Sequence, residues 1–163
     1  MIMGLFSGVE KADVTGGGVY FMQGQYVVEI EGVKTVRSSR NNRDYWVVEC
    51  LILESNNGER PVGSHASQVV DIGHVMGPVN IKAFVAAATG IDPSDADVNE
   101  RLVAAWEEMV GQELSVEQIC ELICDENEAV LEGLKLNLEC QNIKTRSTGN
   151  DFTKHFWTPM EGE

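Results

Sequence analysis

The sequence predicts a mainly β fold of about five strands around one core, with helices inserted between the third and fourth strands. Three observations predict it. Apolar residues alternate with period two up to Ile72 and again from Leu134, a block of 3.6-residue apolar spacing lies between them, and turn-forming residues mark the junctions.

The first strand starts at Gln25, where GQYVVEIEGVKTV is rich in β-branched and aromatic residues and Tyr26, Val28 and Ile30 alternate with others. Gly32 inside it marks a bulge or bend. SSRNNRD is a polar turn, and DYWVVECLILE resumes as a strand too continuously apolar to have one face in water. SNNGE is a second turn, after which Arg60 to Ile72 returns as a third antiparallel strand. Beyond Gly77-Pro78, Ile81, Phe84, Val85 and Ala88 fall at helical spacing and Gly90 stops the helix. A second helix places Val98, Leu102, Ala105, Trp106 and Met109 on one face. Ser115 caps a third, with Gln118 three residues on and Val116, Ile119, Cys120 and Ile123 as its buried stripe. The region from Asp92 to Glu132 is therefore expected to be helical and to pack as an appendage. Leu134, Leu136, Leu138 and Cys140 then alternate with polar residues, and a closing hairpin turns at Ser147 to Asn150.

Residues 1–24, with six glycines and no sustained period, read as a flexible arm that Tyr20, Phe21 and Met22 anchor. Residues 25–163 form one domain, with the acidic helical insertion at residues 78–132. The layout is that of a small Greek-key barrel with a helical excursion, an OB-fold-like five-stranded barrel. Periodicity alone also allows an open α+β sheet with helices packed on one face.

At 163 residues, with 43% hydrophobic and 23% charged composition, the chain is long enough to bury a core without disulfides or metal. No apolar run approaches the roughly 20 residues of a membrane span. The segment from Met1 to Ser7 lacks the positive start of a signal peptide, so cytoplasmic residence is expected, in a host cell if the chain is viral. Cys50, Cys120, Cys124 and Cys140 lack Cys-x-x-Cys spacing and read as free, unmetallated thiols. His65, His74 and His155 have no companion ligands at metal spacing and read as ordinary surface or strand residues. Neither a phosphate-cradling glycine loop nor a Gly-x-Ser-x-Gly or His-Glu-x-x-His motif is present. The expectation is a binding protein rather than an enzyme, with no cofactor.

The net charge of −14 argues at first against nucleic acid, since phosphates bind cations. Its distribution argues otherwise. Thirteen acids face Arg101 alone between Asp92 and Glu132, whereas Lys34, Arg37, Arg40 and Arg43 face only Asp44 between Val33 and Val48. Near the end Lys144, Arg146 and Lys154 face only Asp151. Aromatics accompany both basic stretches: Tyr45 and Trp46 beside the first, Phe152, Phe156 and Trp157 beside the second, with His155 among them. Single-stranded nucleic acid needs this pairing, because cations hold phosphates while unstacked bases need aromatic faces. These twelve basic and aromatic residues, His155 apart, are the candidate binding residues. Half of the aromatics, standing in strands, are expected to face the core instead.

The order of GQYVVEIEGVKTVRSS, DYWVVECLILES, the IKAFVAAATGI helix and LNLECQNIKTRSTGNDFTKHFW resembles the bacteriophage OB-fold single-stranded-DNA-binding proteins of replication and recombination, from Gln25 to Trp157. The resemblance implies binding of exposed strands during phage genome replication, with the groove formed by the basic and aromatic positions of the two hairpins. Many such proteins end in an acidic tail closed by an aromatic residue, which Pro159 to Glu163 does not match. Contacts with replication or recombination proteins would then fall to the acidic helices, and self-association is compatible with the family. A protein–protein interaction module using those helices is the competing expectation.

Overall fold

The computed structural model describes residues 19–144 and 151–160. Five strands, β1 (Gly24–Arg37), β2 (Asp44–Ser55), β3 (His65–Asp71), β4 (Lys135–Lys144) and β5 (Asp151–Pro159), form one sheet in the order β3-β2-β1-β4-β5. Every neighbouring pair is antiparallel. Three consecutive strands followed by a fourth that returns beside the first make a Greek key, to which β5 adds a hairpin. Between β3 and β4 lie α1 (Gly77–Ala88), α2 (Val98–Val110) and α3 (Val116–Ile123). None of the helices among the described residues is long and apolar enough to cross a membrane.

Strand alternation builds the core. Tyr26, Val28 and Ile30 of β1, Trp46, Val48, Cys50 and Ile52 of β2, and Leu136, Leu138 and Cys140 of β4 are buried at every second position. The pairing of β1 with β2 shifts register between Ile30 and Gly32, the bulge that the glycine foreshadowed, and again between Val27 and Val28, where no glycine announces it. β3 begins at His65 rather than at Arg60. Pro61 has no N–H to give a ladder and Gly63 sits at φ +88°, so the chain is still turning there. Ser115 and Gln118 form the expected capping box at the start of α3, each side chain accepting from the other's backbone N–H, at 3.1 and 2.9 Å.

The helical block is less an appendage than its charge suggests. Leu102, Trp106, Ile119 and Ile123 belong to the same buried cluster as the strand residues, while Met109, expected on the buried face of α2, is 61% exposed. Phe21 is buried against Tyr26 and the ring of His155, so the segment just before β1 is anchored as its aromatics suggested. The remainder of the N-terminal arm, residues 1–18, lies outside the described residues.

The sheet is open, not the closed barrel that the sequence suggested: β3 and β5 are its two edges. The reason is visible at those edges. α1 packs against both β3 and β5, and its Phe84, fully buried, sits with ring centroids 6.4 Å from Trp46 and 4.9 Å from Trp157. A side-chain bond, Trp157 Nε1 to Gln68 Oε1 at 3.1 Å, links β5 to β3 where a closed barrel would have a backbone ladder. The outer edge of β3 is also partly taken, since Ser67 donates its N–H to the Val19 carbonyl at 2.8 Å.

Gly77, at the start of α1, permits this arrangement. A Cβ there would stand 2.3 Å from the carbonyl oxygen of Asp71, well inside contact distance, with backbone as the obstacle. Gly77→Ala should therefore lower stability by about 1–3 kcal/mol, the range for overpacking at a tight site. Urea denaturation checks this, and an unchanged midpoint would show that α1 does not press on the end of β3.

Candidate nucleic-acid interface

The first hairpin carries its bases in a different electrical setting from the one its local sequence suggests. Lys34 Nζ lies 3.5 Å from Glu49 on the adjacent strand. Arg37 Nη1 lies 3.2 Å from both carboxylate oxygens of Asp44. Arg43 Nη1 lies 2.5 Å from Asp71, which comes from β3. The Arg43 guanidinium, with the Gly73 N–H in support, holds the Asp71 carboxyl below its ordinary range. Arg40, exposed in the loop between β1 and β2, is the one base of this hairpin without an acid partner among the described residues. Exposed ion pairs of this kind contribute little to stability, but they lower the positive potential available to a phosphate.

The aromatics divide by strand parity. Tyr45 is half-buried and its hydroxyl accepts from the Asn41 amide at 3.0 Å. Trp46, one residue on, points the other way and is 2% exposed, its Nε1 buried without a partner among the described residues. On β5, Phe152, Lys154 and Phe156 share the outward face, whereas Trp157 is 2% exposed beneath it. The candidate binding roles of Trp46 and Trp157 are corrected accordingly: both are core residues, because neighbours along a strand face opposite sides. Phe152 is 46% and Phe156 38% exposed, and Lys154 Nζ stands 5.1 Å from the centroid of the Phe156 ring, a cation–π contact. Lys144 ends β4 opposite Asp151, and Arg146 lies outside the described residues.

Only the second basic hairpin lines a groove with β3, and the first reaches it through the Arg43–Asp71 ion pair alone. A groove of about 310 Å3 runs between the edges of β3 and β5, its walls including Asp71, which holds Arg43, and Phe152 and Lys154. Sequence reasoning missed the contributors from β3 and α1, Gln68, Asp71 and Asn80, which have no basic or aromatic signature. His155, read from the sequence as an ordinary surface or strand residue and kept out of the candidates, also lines the groove. The His155 ring packs on Phe21, its Nε2 is buried without a partner among the described residues, and burial pushes its pKa down to about 4, only partly offset by a hydrogen bond with the Thr153 backbone.

That shift sets a pH dependence. An unfolded histidine takes up its proton near pH 6.5, whereas the folded one resists until about pH 4, so stability falls as the pH drops through this window. Between pH 7 and pH 5, still above the isoelectric point of about 4.5, the wild type should lose about 2 kcal/mol more stability than His155→Phe. Urea titrations of both proteins at both pH values measure the difference; equal losses would mean that His155 is not held neutral by the fold.

All four cysteines are free, Cys50 and Cys140 buried and the other two half-buried. Burial pushes the Cys120 thiol up to about 11 and the Cys140 thiol up to about 12, which disfavours the reactive thiolate. The chain matches no family model and no curated protein.

Proposed function

We propose that the chain binds single-stranded DNA without strong sequence preference and protects exposed strands during replication or recombination, as the phage proteins that its sequence resembles do. The observation that carries this reading is the outward row Phe152, Lys154, Phe156. It alternates two solvent-facing rings with a cation along one strand, and base stacking on such rings contributes on the order of 1–3 kcal/mol per base. The open Greek key is in keeping with an OB-fold, a partly open five-stranded architecture that often binds oligonucleotides. The role is one of binding, with no catalytic step and no cofactor.

The test is a titration of single-stranded and duplex oligonucleotides at roughly 50 and 200 mM salt. Single strands should bind more tightly, because a duplex hides its base faces and the acidic helices repel its denser charge. Arg40→Ala should lower the salt slope by about 0.7, the value for one phosphate contact on a single strand. Arg37→Ala and Arg43→Ala should lower it less, since Asp44 and Asp71 already hold those cations.

A second reading has its own support. Met109 and Val110 are exposed at the end of α2 beside Glu107, Glu108 and Glu113, which suits a basic partner segment with an apolar side. Absence of single-strand binding at low salt would favour this interaction module.

A further inference from the structure

We propose that the groove between the edges of β3 and β5 holds one unstacked nucleobase of the bound strand, so that a modest base preference sits on an otherwise sequence-tolerant interface. The inference rests on the single-strand reading and deepens it.

The groove is continuous with the outward row, since Phe152 and Lys154 belong to both. At about 310 Å3 it is near the lower end of small-molecule sites. Its chemistry is that of a base. Phe152 and Met76, 46% and 44% exposed, supply apolar surface for the faces of a ring. Asn80 and Gln68 both line the groove, Gln68 only 4% exposed. Trp157 occupies the Gln68 carbonyl oxygen, which leaves its amide nitrogen as the group to donate. A carboxamide presents a donor and an acceptor side by side, the pattern that base edges complement. Lys154 supplies a cation for the adjoining phosphate, and Asp71, the one acid on the wall among the described residues, is already paired with Arg43.

A peptide strand added to the β3 edge fits less well. The Asp71 carbonyl accepts from the His74 N–H at 3.1 Å and lies against Gly77, while Ser67, at the other end, is taken by Val19. Little of the edge remains to carry a backbone ladder.

The test is fluorescence anisotropy of the full chain with labelled dA, dC and dT homopolymers of about twelve nucleotides, a length within single-strand site sizes. The wild type should separate the best from the worst by roughly fivefold or more, the low end of what one bidentate base contact discriminates. Asn80→Ala should reduce the separation to below about twofold while leaving the salt slope unchanged, because a base contact is lost and no phosphate contact. Asn80→Ser takes its place if the alanine variant melts early. Equal affinity of the wild type for all three homopolymers, or a separation that survives both substitutions, overturns the base pocket and leaves the single-strand reading standing. No binding to any of the three overturns both.

Discussion

Trp157→Ala should lower stability by about 3–5 kcal/mol, the cost of deleting a large buried aromatic side chain. The indole is 2% exposed, packs edge-on against Phe84 at 4.9 Å, and donates to Gln68 across the gap between the two edge strands. Its removal leaves a cavity under α1 and takes the partner from a buried amide oxygen, and both effects act in the same direction. Phe156, its immediate neighbour, faces water and should cost far less. Thermal and urea denaturation of the two alanine variants side by side measure the contrast. A Trp157→Ala protein that melts with the wild type would show that the indole is not part of the core.

The double substitution Phe152→Ala with Phe156→Ala should have the largest effect on binding. Each ring that carries a base is worth about 1–3 kcal/mol, so losing both should weaken single-strand affinity by about 2–6 kcal/mol. The salt slope should hardly move, because the phosphate contacts remain. Stability should also change little, since neither ring is in the buried cluster. Lys154 loses its ring partner but keeps its charge. A salt slope that fell with the rings would mean that they had been positioning cations rather than stacking on bases.

The strands β1 and β4 could be read from the sequence because alternation is a local property, fixed by which face of one strand is buried, and β2 from its apolar, β-branched run, whose alternate burial only the structure shows. The Ser115–Gln118 cap was readable for the same reason, since its two partners are three residues apart. Sheet closure was not readable. The period-two pattern of β3 and β5 is the same whether their edges pair or stand apart, and what separates them is α1, with Phe84 and Gly77 seated at the end of the sheet. The facing of two candidate aromatics was unreadable for a related reason. An aromatic beside a base carries no facing until the phase of the strand is known, and so Trp46 and Trp157 entered the list with Tyr45 and Phe156. The neutralising partner of Arg43 is 28 residues away in sequence, beyond any count of charge taken along a local stretch.

The outward row on β5 is the proposed stacking surface for single-stranded DNA. Its most direct test is one low-salt titration of a labelled single-stranded oligonucleotide with the wild type and with the Phe152→Ala, Phe156→Ala double variant, each checked for an unchanged melting curve. Saturable wild-type binding is expected, weakened by the double substitution by roughly thirtyfold or more, the low end of two lost stacks. Equal binding by the two folded proteins, or no binding by the wild type, would contradict it.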